Sequence, residues 1–144
     1  MPRLVIDTNL WVSYYLSAQS VAGRRIGRLL AHPDCTLLGS PQLVGEVENV
    51  ISRSRILRRL GSPAAQTEAR FVLRQALAAL EYLAPAPLAT ECRDPKDNYL
   101  LDLARDGQAD FLLSGDRDLI ALHTYGRTNI LSLTDFVVLF LPDE

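Results

Sequence analysis

An α/β fold, with a central parallel sheet covered by helices on both faces, is the architecture that this chain of 144 residues predicts. Two observations carry the prediction. Short runs of consecutive apolar residues recur along the chain, as in strands buried on both faces, and they alternate with longer stretches whose apolar residues fall at helical spacing. A third observation sets the size: domains commonly run to roughly 100 to 200 residues, and a make-up of 48% hydrophobic and 22% charged residues suits a chain that buries a core. One domain over residues 1–144 is therefore expected.

Leu4-Val5-Ile6 reads as the first buried strand, ending in the polar triplet Asp7-Thr8-Asn9 that turns into a helix. Thr36-Leu37-Leu38-Gly39 repeats the pattern, and Ser40-Pro41 behind it is an N-cap followed by proline in the first helical position. That helix carries Leu43, Val44, Val47, Val50 and Ile51 on one face. An Ala/Leu-rich helix is expected from about Ala64 to Leu83, closed by Pro85 and Pro87, with Ala84 to Pro87 as a loop or short edge strand. Arg93-Asp94-Pro95 opens a further helix, Asp110 to Ser114 reads as a buried strand entering the turn Gly115-Asp116-Arg117-Asp118, and Asn129 to Ser132 reads as a last strand. Phe136 to Leu141 is apolar on every side of a helix, so either the sheet or a second copy of the chain covers it.

A formal net charge of −2 excludes nucleic-acid binding through bulk positive charge. The basic residues are nevertheless unusual, because Lys96 is the one lysine and all the others are arginine. Arginine grips phosphate or carboxylate in two places at once, and Arg53, Arg55, Arg58 and Arg59 crowd one stretch while Arg24, Arg25 and Arg28 crowd another. The first group follows the helix after Pro41 and is expected to grip a phosphate-bearing ligand near the mouth of a site (RNA, on the resemblance given below), with the Ala64–Leu83 helix as a lid or substrate-facing wall. Solvated helix faces are the competing reading. Cys35 and Cys92 lack metal-binding spacing and read as core filler. No apolar run approaches the roughly 18 residues of a membrane span, and Met1-Pro2-Arg3 leads straight into a strand without a targeting signal, so a cytoplasmic location is expected.

Open parallel sheets collect functional groups outside the carboxyl ends of their strands. Asp7 and Asp116 both follow strands and face one crevice if those strands are neighbours; as isolated residues, each is equally a helix or turn cap. Asp97 heads a core-facing stripe with Leu100, Leu101 and Ala104, which the helix dipole alone does not require. Asp94 precedes Pro95 as a cap does and reads as structural. Glu46 and Glu48 border opposite edges of one apolar stripe, and spacing does not choose between them. Two unit charges about 4 Å apart repel by roughly 4 kcal/mol at an effective dielectric of 20, so converging carboxylates call for a counter-ion. Carboxylate oxygens without nearby histidine or thiolate suit Mg²⁺ or Mn²⁺, and such a site serves phosphodiester chemistry by clamping the attacking and leaving oxygens.

Four segments, Leu4 to Asn9, Ser40 to Val47, Cys92 to Asn98 and Ser114 to Leu119, stand in the order found in PIN domains. From Leu4 to about Phe136 the chain resembles a PIN-domain ribonuclease of the VapC-like branch, the toxin components of bacterial type II toxin–antitoxin systems. The resemblance implies a three-layer α/β/α sandwich with a parallel sheet of about five strands, and single-stranded RNA as substrate. It places the four acids on Asp7, Glu46, Asp97 and Asp116, with Asp118 as an accessory metal ligand, and so favours Glu46 over Glu48. Thr8, Asn9, Asn98 and Ser114 fall on supporting positions, and Asp94 stands as an alternative or water-mediated partner to Asp97. It also implies a cognate antitoxin that reaches the carboxylates with a basic side chain, and a homodimer. Two rival classes are a haloacid-dehalogenase-like phosphatase and a non-catalytic RNA- or protein-binding scaffold. The phosphatase needs an aspartate general acid where Asn9 stands, and the scaffold leaves a set of converging carboxylates without a use.

Overall fold

The structure, a computed structural model, describes residues 2–141. Strands β1 (Arg3–Ile6), β2 (Thr36–Gly39), β4 (Phe111–Leu113) and β6 (Thr128–Leu131) form the body of a six-stranded sheet. The short β3 (Glu81–Tyr82) and β5 (Thr124–Tyr125) flank it, giving the order β3-β2-β1-β4-β6-β5. All pairings are parallel except that of β5 with β6, and the sheet exceeds the expected five strands because the two edge strands are pairs of residues too short to leave a periodic signal. Helices flank the sheet, giving the PIN-like three-layer arrangement.

The helices are α1 (Thr8–Leu16), α2 (Val21–Ala31), α3 (Pro41–Ile51), α4 (Ser54–Leu60), α5 (Pro63–Ala78), α6 (Asn98–Asp106), α7 (Arg117–Ile120) and α8 (Leu133–Phe140). Ser20, Ser40, Ser62 and Ser132 each cap a helix by accepting a backbone N–H with the side chain, the local chemistry that starts α2, α3, α5 and α8. Gly61 ends α4 with φ at +84°, a conformation that favours glycine, and lets the chain reverse into α5.

Two sequence expectations are corrected. The Ala/Leu-rich helix stops at Ala78 rather than Leu83, because Glu81 and Tyr82 pair with Leu38 and Gly39 at the sheet edge, and the Tyr82 hydroxyl donates to the Leu77 carbonyl at 2.7 Å. The helix expected to open at Arg93-Asp94-Pro95 begins as a 3₁₀ turn over Pro95–Asp97 before α6 proper. Ala84 to Pro87 is loop.

The core is continuous from β1 outward: Leu4, Val5, Ile6, Trp11, Leu43, Leu100, Leu101 and Leu112 are all fully buried. Helix α6 lies over β1, β2 and β4, so its apolar stripe fixes where its N-terminus stands relative to the strand ends. Arg105 and two aspartates fasten the loop after β3 onto α6: Asp102 accepts from the backbone of Leu88 and Ala89, and Asp106 from that of Ala86. Arg105 closes the clamp with bonds to Asp102, Asp106 and the Ala86 carbonyl.

Candidate active site

β1 and β4 are neighbours, so the residues that follow them, Asp7 and Ser114 to Asp116, meet at one end of the sheet. The Ser114 hydroxyl donates to Asp7 Oδ2 at 2.6 Å, and Ser114 Oγ in turn accepts the backbone N–H of Asp116 at 2.9 Å. Asp7 is buried, and burial pushes its carboxyl above the ordinary range; the Ser114 bond opposes the rise, while the neighbouring Asp116 charge adds to it. Asp116 caps α7 through the Asp118 N–H at 2.8 Å.

Asp97 reaches the same crevice from the start of α6. Its pKa is pushed up to about 7 by burial first, then by the Asp116 carboxyl beside it, and by the charges of Asp7 and Asp94. Carboxylates gathered this closely favour the protonated form of Asp97. Among the described residues, no group of three or more His, Cys, Asp or Glu side chains is gathered into a ready-made metal cage. In kind the donors fit a hard divalent cation: all are carboxylate oxygens, and the repulsion of Asp116, Asp7 and Asp94 on Asp97 is a surplus of negative charge that a cation relieves.

The two glutamates of α3 part company. Glu48 pairs with Arg70 at 2.8 Å and with Arg74 at 3.6 Å, tying α3 to α5. Glu46 lies within electrostatic reach of Tyr99, as do Asp7 and Asp97. Tyr99 is a residue that the sequence reading missed: buried behind Asp97, it meets the Thr8 hydroxyl at 2.5 Å, and burial foremost, with the three carboxylates, holds its phenol far above the usual range. Its signal was a hydroxyl in the first turn of a core-facing helix, where a buried phenol needs a polar partner.

The remaining candidates divide. Asp94 caps the 3₁₀ turn by accepting the Lys96 N–H at 3.1 Å, the structural role expected of it. Asn98 accepts the Cys92 N–H at 2.9 Å and so holds the loop that carries Asp94 and Asp97. Asp118 receives Arg93 in a two-pronged bond, at 2.8 and 2.9 Å, which keeps its carboxyl below the usual range. Asn9 is exposed beside Asp7. Arg53, Arg55, Arg58 and Arg59 are exposed, with Arg53 at the N-cap of α4 and Arg58 and Arg59 in its last turn, where cations complement the helix dipole. Cys35 and Cys92 are free thiols whose pKa values burial raises.

Fold and crevice together define an α/β protein with an acidic centre at the carboxyl edge of its sheet. The PIN domain family profile matches residues 3–118, and the chain belongs to that family. PIN domains are generally metal-dependent nucleases that bind RNA. A comparison with curated proteins returned no match. No helix among the described residues is long and apolar enough to cross a membrane.

Proposed function

We propose that the chain is a single-domain, Mg²⁺- or Mn²⁺-dependent endoribonuclease that cuts single-stranded RNA and acts in the cytoplasm as the toxin of a toxin–antitoxin pair. The observation that supports this reading most is the meeting of Asp7, Asp97 and Asp116, from three separate motifs, in one crevice where their charges act on one another. Asp7, Glu46, Asp97 and Asp116 would hold the cation, which when bound activates water and clamps the leaving oxygen of a phosphodiester. Ser114 orients Asp7, and Tyr99 with Thr8 walls the crevice against the helix behind it. Asp118 would join the ligands only by releasing Arg93.

The crevice's negative charge is complementary to an arginine or lysine from an antitoxin, which would satisfy the same oxygens as the cation and displace it. Asp7→Asn tests the reading. It keeps an acceptor for Ser114 and removes a buried charge, so the variant should fold at least as stably as the parent and lose cleavage of single-stranded RNA in Mn²⁺. Near-parental cutting by the variant would remove Asp7 from the chemistry.

A further inference from the structure

Beside the crevice, outside the carboxyl ends of β2 and β3, lies a cavity of about 190 Å³ lined by Ser40, Pro41, Gln42, Ala84, Pro85, Pro87, Tyr99 and Asp102. Tyr99 is the wall shared by the two spaces: its hydroxyl meets Thr8, next to Asp7, and the residue also lines the cavity. Strands are spaced about 4.8 Å apart, so the β2–β3 end of the sheet stands on the order of 10 Å from the Asp7 strand, a short step along a polynucleotide.

The cavity is smaller than the roughly 300–1,000 Å³ of drug-sized sites and presents flat apolar surfaces from three prolines and a tyrosine. Its polar groups are specific in kind. Asp102, only 6% exposed, takes its bonds from Leu88, Ala89 and Arg105 on Oδ1 alone, which leaves Oδ2 as an acceptor. The buried Ser40 hydroxyl accepts the Leu43 N–H and has its own hydrogen to give, and Gln42 adds an amide at the rim. A carboxylate in the wall repels phosphate and accepts from an amino group, the way acidic side chains read an exocyclic amine.

We infer that this cavity is a base subsite of the nuclease, taking an unpaired nucleobase that carries an exocyclic amino group, from a nucleotide neighbouring the cleaved bond, in preference to uracil, which has none. The inference rests on the RNA-cleaving reading for its substrate but is tested without cleavage. Metal-free, ¹⁵N-labelled protein is titrated in EDTA with pentacytidylate, pentaadenylate and pentauridylate. The Ser40, Gln42 and Ala84 amides should shift with the cytosine or the adenine oligomer, and binding of the uracil oligomer should be about tenfold weaker, the worth of one hydrogen bond to a charged group. Gln42→Ala should narrow that difference, and Ala84→Leu, which fills the cavity from an exposed position, should abolish it. Absence of shifts at these amides with every oligomer, or equal shifts with all three, overturns the subsite even if the protein cuts RNA. Base-dependent shifts in a protein that cuts nothing in Mg²⁺ or Mn²⁺ would instead uphold the subsite and overturn the nuclease reading.

Discussion

Asp97 carries the most informative charge in the molecule. Its folded-state pKa of about 7 lies above the ordinary aspartate value of 3.8, so the folded protein keeps a proton that the unfolded chain releases. Stability from this group is therefore full at low pH and is lost as pH rises from about 4 to about 7. Asp97→Asn removes the dependence: the metal-free variant should melt a few degrees above the parent at pH 7.5, with a smaller gap at pH 5, as read by thermal denaturation in EDTA. A gap that does not change with pH would mean that Asp97 titrates normally and that the crevice is not electrostatically loaded. Sequence reading found Asp97 because a charge at the head of an apolar stripe breaks a pattern. It missed Tyr99 and Asp102 because a tyrosine fits such a stripe and an aspartate three residues before an arginine looks like a surface ion pair; their hydrogen bonds to Thr8 and to the loop after β3 arise from tertiary packing alone.

Helix α6 ties the crevice at its N-terminus to the loop clamp farther along. Asp102→Ala would leave the N–H groups of Leu88 and Ala89 and the Arg105 guanidinium without their shared buried acceptor, and should cost about 3 kcal/mol in urea-induced unfolding. A loss under about 1 kcal/mol would show that the loop re-forms its bonds elsewhere. Helix α4 poses a different question, since its exposed arginines suit either a phosphate contact or the helix dipole. If they contact RNA, Arg55→Ala with Arg58→Ala should weaken binding at every sequence and flatten the log–log salt dependence by about one unit per lost contact; an unchanged slope would return them to a solvent-facing role. The start of α3 was legible because Ser40-Pro41 is a local signal, and that of α5 was placed within a residue by its Ala/Leu-rich pattern. The end of α5 was not, because strand β3 exists only by pairing with β2, which no window of sequence around Ala78 contains.

At the scale of the whole molecule, helix α8 leaves an apolar strip uncovered among the described residues. Helix α8 buries Phe136 and Val137 against the sheet, where Phe136 and Phe140 meet Phe111, but Val138, Leu139 and Phe140 remain 65%, 67% and 46% exposed. If a second copy covers this face, the parent should scatter light as a dimer at tens of micromolar and Val138→Lys as a monomer; a parent that stays monomeric rules the dimer out. The sequence showed the run as apolar on every side but not which side the sheet would take. The bond between Ser114 and Asp7 has a consequence in time: it joins residues 107 positions apart, and the β1–β4 pairing beneath it closes a loop of similar length. Contacts so distant along the chain form slowly and late, because loop closure must be complete before they contribute stability. During synthesis, therefore, the acids of the first and last motifs cannot meet until Asp116 has emerged and β4 has docked beside β1. If the proposed RNA cleavage holds, a growing polypeptide that has not yet released β4 has no assembled crevice and is inert toward the message that encodes it.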